Sequence, residues 1–70
     1  MREELKNRLR EERARLNLTQ AQLAEMVDVS RKTINTVENG IFIPSTVLAL
    51  RLARALGTTV ESLFHLQKVR

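Results

Sequence analysis

Cysteine, tryptophan and tyrosine are all absent from this 70-residue sequence. Without cysteine there can be no disulfide, no thiolate zinc site and no thiol nucleophile. The aromatic content is two residues, Phe42 and Phe64. That is too little for modules that bind single strands or RNA by stacking bases on rings. His65 is the lone histidine and has no evident second ligand, so no metal site and no cofactor are expected. No apolar run approaches the roughly 20 residues that a membrane span needs. The opening "MREELKNRLREERAR" is too charged for a signal-peptide core, and its acids speak against a transit peptide. The expectation is a cytoplasmic protein without a membrane partner. Glu3-Glu4 and Glu11-Glu12 are neighbouring carboxylates, but adjacent helical positions point about 100° apart. They read as solvated faces. With no nucleophile–base pair and no phosphate-cradling glycine loop, the chain is not expected to be an enzyme.

What the sequence has is cations and helix signals. Twelve Lys and Arg stand against eight Asp and Glu, a formal net charge of +4. That balance biases a small domain towards polyanions. Residues 1–70 read as one domain, near the lower size limit for burying a core unaided. Self-association is the remaining way to reinforce so short a chain once disulfides and metal are set aside.

The pattern predicts an all-α, five-helix bundle. A first helix is expected from about Glu3 to Leu16, with Leu5, Leu9 and Leu16 on one side and Glu4–Arg8 and Glu11–Arg15 as i,i+4 pairs. Thr19 with Gln22 three residues on has the form of a capping box opening a second helix, Gln20 to about Val27. After the short Asp28-Val29 turn, Ser30 is the next N-cap, and the third helix stops at Asn39-Gly40. "IFIPS" reads as a loop, with Ser45 capping a fourth helix, Thr46 to Leu56, that Gly57 ends. Its Leu48, Leu52, Ala53 and Leu56 are core candidates. Thr58 with Glu61, or Thr59 with Ser62, caps a short fifth helix. The alternating tail Leu66-Gln67-Lys68-Val69 fits either a short strand or a fraying helix end.

Function is carried by "VSRKTINTVENG", Val29 to Gly40. On a helical wheel Arg31, Lys32, Asn35, Thr36 and Asn39 fall within an arc of about 140°, with Ile34 and Val37 opposite. Two short helices joined by a tight turn, the second exposing a basic and amide-rich face, make a helix-turn-helix arrangement at about residues 20–39. The B-DNA major groove admits one helix, its phosphate rims repel carboxylates and attract Arg and Lys, and its base edges pair with Arg, Lys and Asn. In particular, Asn can pair bidentately with adenine.

"LTQAQLAEMVDVSRKTINTVENG" resembles the Cro and phage-repressor type of helix-turn-helix, the Xre family. The wider match, from "NRLREERARLNLTQ" through "ARALGTTVESLF", covers nearly all of the chain. The resemblance implies a lambda-repressor-like domain that docks the second motif helix in the major groove of double-stranded DNA. It implies a transcriptional regulator, a repressor rather than an activator. Gln20 would meet a phosphate through its side chain or its helix-terminal N–H. Ser30, Arg31, Lys32 and Thr33 would lead into the groove, Asn35 and Thr36 would reach bases or backbone, and Asn39 would meet phosphate. Arg13 and Glu38 match an internal salt bridge between the first and third helices. Two departures stand out: Asp28 replaces the usual turn glycine, and "GIFIP" replaces a loop that often reads like "GKYNP".

The apolar loop raises a further expectation. Ile41, Ile43, Val47 and Leu66 are hard to bury in one small domain, and an exposed apolar cluster is an interaction site or a liability. They are the expected homodimer interface, since two-fold pairing is the commonest cover. The alternative reading is a protein-interaction module or antitoxin on the same fold, with the loop binding a protein partner.

Overall fold

A computed structural model describes residues 2–69. The elements run β1 (Arg2–Asn7), α1 (Leu9–Arg15), α2 (Gln20–Met26), α3 (Arg31–Glu38), α4 (Thr46–Leu56), α5 (Val60–Leu63) and β2 (Phe64–Val69). The expected all-α class is therefore corrected to five helices plus a two-stranded antiparallel sheet. Arg2 pairs with Val69 at one end of the ribbon and Asn7 with Phe64 at the other.

The first helix begins at Leu9 rather than about Glu3, and the reason lies in what each conformation can bury. Leu5 is the sole apolar residue between Arg2 and Asn7, so a helix there would have almost nothing to dock. As a strand, the segment pairs its backbone with β2, sets Glu3 opposite Lys68, and packs Leu5 against the core. Asn7 pins the junction. Its Oδ1 accepts from the Leu9 N–H at 3.1 Å, and its Nδ2 donates to the Val37 carbonyl at 2.9 Å. The anticipated i,i+4 pairs do not form. Glu4 pairs instead with Lys6, and Arg15 with Glu12. Leu16 follows the end of α1 and is 39% exposed.

Local chemistry sets the remaining elements. Thr19 and Gln22 form a reciprocal capping box on α2, with Thr19 N–H donating to Gln22 Oε1 at 2.8 Å and Gln22 N–H to Thr19 Oγ1 at 3.0 Å. Ser30, Ser45 and Thr59 each accept from the N–H three residues on, so every helix from α2 onward has a side-chain cap. Between α2 and α3 the chain turns at Asp28, whose φ of 61° is left-handed. Aspartate tolerates that region better than most side chains, and the Val29 N–H closes the turn on the Ala24 carbonyl at 3.0 Å. Leu9, Leu23, Ile34, Leu52, Leu56 and Leu63 are fully buried where the five helices meet. Burying such a side chain stabilises the fold by about 1.5–3 kcal/mol each. No helix among the described residues is long and apolar enough to cross a membrane.

Candidate nucleic-acid interface

The α3 helix divides by face. Ile34 and Val37 point into the core at 0% and 1% exposure, while Arg31, Lys32, Asn35 and Asn39 are exposed. Arg31, Lys32 and Asn35 line one shallow concavity. Among the described residues neither Arg31 nor Lys32 is engaged in an ion pair, so both leave their donors to solvent. Three hydroxyls next to them are committed to the helix. Ser30 Oγ accepts from the Thr33 N–H at 3.1 Å and lies 3.0 Å from Thr33 Oγ1. Thr36 Oγ1 turns its proton back to the Lys32 and Thr33 carbonyls, both at 3.0 Å, so outward it can only accept.

Beside that face a carboxylate is hidden. On the helical wheel Glu38 borders the basic arc, yet its side chain is 0% exposed. Arg13 Nε donates to Glu38 Oε2 at 2.8 Å and Arg13 Nη2 to Oε1 at 3.3 Å, while Arg13 Nη1 reaches the Leu18 carbonyl at 2.9 Å. One guanidinium thus ties α1 and the α1–α2 connection to the C-terminal end of α3. Gln20 Nε2 adds a hydrogen bond to Glu38 Oε1 at 3.1 Å, and Arg10 Nε stands 3.7 Å from the same oxygen. Burial, the largest influence, raises the Glu38 carboxyl. The hydrogen bonds of Arg13 and Gln20 and the charges of Arg13 and Arg10 outweigh it and hold the group below its ordinary 4.5. Glu38 therefore stays ionised without showing its charge to an approaching anion.

The expected site residues share one surface, but several are turned to different uses. Gln20, assigned to phosphate, spends its amide hydrogens on Glu38 and on Asn35 Oδ1, the latter at 3.2 Å. Asn39 Nδ2 donates to Asn35 Oδ1 at 3.2 Å, and Arg10 Nη2 donates to Asn39 Oδ1 at 3.1 Å. Sequence reasoning missed Arg10 and Asn7. Arg10 had a signal, since it lies three residues before Arg13 on one helix and so shares its face. Asn7 had none until the strand placed it against α3. Ile41, Ile43, Val47 and Leu66 are 77%, 72%, 58% and 62% exposed, and Phe42 within the same loop is 48% exposed.

A family model described as helix-turn-helix matches residues 9–63, the five helices without the ribbon. The chain belongs to the helix-turn-helix family, of the Xre type. It is 38% identical over 64 residues to an uncharacterized HTH-type transcriptional regulator, YgzD, of Bacillus subtilis, covering 91% of this chain and 97% of that one. An uncharacterized HTH-type transcriptional regulator of Methanothermobacter thermautotrophicus is 49% identical over 61 residues, covering 86% and 88%. Among solved structures, the clp gene regulator ClgR from Corynebacterium glutamicum superposes with a TM-score of 0.71 at 35% identity. That match covers 74% of this chain and 55% of the ClgR chain.

Proposed function

We propose that this chain is a non-enzymatic transcriptional regulator of the cytoplasm that binds double-stranded DNA sequence-specifically, as a homodimer that represses from a two-fold operator. The observation that carries the reading is the outer face of α3, where Arg31, Lys32 and Asn35 stand together while the neighbouring carboxylate of Glu38 is buried and ion-paired with Arg13. A helix with this face suits a groove rimmed by phosphate and lined with acceptors. Family membership and relatives named as transcriptional regulators support the same reading. In this reading Arg31 and Asn35 face base edges, Lys32 supplies charge, and Ser30, Thr33, Thr36 and Asn39 line the approach to the backbone. Gln20 acts chiefly by holding α2, Asn35 and Glu38 in register. Selecting bound sites from random duplex DNA tests it: recovery of a defined, two-fold site supports the proposal, and recovery of unselected sequence rejects it.

The dimer rests on a separate observation, the exposed apolar set at the α3–α4 loop and on β2. Two-fold pairing would place two copies of α3 about 34 Å apart, one turn of the duplex. Sedimentation at micromolar concentration should show a dimeric parent, dissociated by Ile43→Lys or Val47→Glu. A monomeric parent removes the dimer and leaves the loop to the second reading, a protein partner. A dimer broken by Leu66→Glu alone moves the interface to β2.

A further inference from the structure

Arg10, Asn39, Asn35, Gln20 and Glu38 form one hydrogen-bonded chain across α1, α2 and α3. An isolated side-chain amide can exchange its oxygen and nitrogen positions with little to choose between them. Here both ends of the chain have fixed polarity. A carboxylate only accepts, so Gln20 must turn its NH2 group towards Glu38 Oε1. The second hydrogen of that nitrogen points to Asn35, which must therefore answer with its oxygen. A guanidinium only donates, so Asn39 must turn its oxygen to Arg10 and its NH2 to Asn35. Both terminal groups thus impose the same orientation on Asn35. Its Oδ1 accepts from two sides, which uses its two lone pairs, and its Nδ2 is left as the free group of an exposed side chain beside Arg31 and Lys32.

We infer that Asn35 is a donor-only, specificity-determining residue that prefers the acceptor edge of guanine or thymine to the mixed edge of adenine. The bidentate asparagine–adenine pair needs the amide oxygen to accept from N6 while the nitrogen donates to N7. With Oδ1 occupied, only the donor half remains: Nδ2 can still reach adenine N7, but the N6 amino group beside it finds no acceptor. Guanine offers O6 and N7 and thymine offers O4, all acceptors. Gln20 and Asn39 are positioning residues, since they set which end of Asn35 faces outward. The inference rests on the proposed reading of α3 as the groove helix.

The test is duplex selection with the parent, Asn35→Ala and the double variant Gln20→Ala/Asn39→Ala, followed by fluorescence anisotropy on the parent's selected duplex. Asn35→Ala is expected to fold, because the position is exposed and alanine favours helix. It should erase a preference for guanine or thymine at one position of each half-site, weakening that duplex about tenfold. The double variant frees Asn35 Oδ1 and should admit adenine at that same position. Loss of an adenine preference in Asn35→Ala, an even loss on all duplexes, or no loss would each overturn the inference alone. Continued rejection of adenine by the folded double variant would also overturn it. A parent that does not distinguish selected from random duplex overturns the groove reading and this inference with it.

Discussion

Glu38→Gln should destabilise the fold strongly, because the side chain is buried and ion-paired. It leaves the Arg13 guanidinium, 17% exposed, without its counter-charge. Removing one partner of a buried ion pair costs roughly 3–5 kcal/mol. In a chain this small, each kcal/mol lowers the thermal midpoint by about 4–8 °C. Glu4→Gln is the control, because the Glu4–Lys6 pair is exposed on both sides and such changes stay within about 0.5 kcal/mol. Calorimetry of the two variants checks the contrast, and equal midpoints would mean that the Arg13–Glu38 pair contributes no net stability.

The same residue gives stability a pH dependence of definite sign. The folded-state pKa of Glu38 lies below its ordinary 4.5, so the unfolded chain binds the proton more readily. Its stabilisation is complete above that ordinary value and is lost as pH falls through the lowered one. Urea midpoints taken from about pH 7 down to about pH 3 should therefore decline less steeply at the acid end in Glu38→Gln than in the parent. A decline of equal steepness would mean that Glu38 titrates alike in both states.

The helix-turn-helix was legible because its determinants are local. Thr19 with Gln22, Ser30 and Ser45 each cap within three residues, and Ile34 and Val37 repeat at helical spacing. Asp28 kept the turn visible despite the missing glycine. The ribbon was not legible from its N-terminal half. Arg2–Asn7 is rich in residues that favour helix, and it becomes a strand because its partner arrives from the opposite end of the chain. No short-range signal encodes that pairing. On the candidate interface, residue identities were readable and polarity was not. Asn35 looked free to pair with adenine until Gln20 and Asn39 were seen converging on its oxygen.

On DNA, Arg31→Ala and Lys32→Ala should fail differently. Arginine's planar fork matches guanine bidentately, whereas lysine acts as a flexible point charge. Arg31→Ala should cost about 1–3 kcal/mol on the selected duplex and blur its sequence preference. Lys32→Ala should weaken selected and random duplexes alike and reduce the salt slope by about one. Binding isotherms at several salt concentrations separate the two patterns. Identical losses on every duplex would leave Arg31 as a phosphate contact.

The most direct test is competition, at fixed salt and again at raised salt, between a selected duplex and its scrambled counterpart for the unmutated protein. The expected result is at least about a thousandfold preference for the selected duplex, with affinity falling steeply as salt rises. Equal binding to both duplexes, with no response to salt, would contradict the assignment of α3 as a DNA-reading helix.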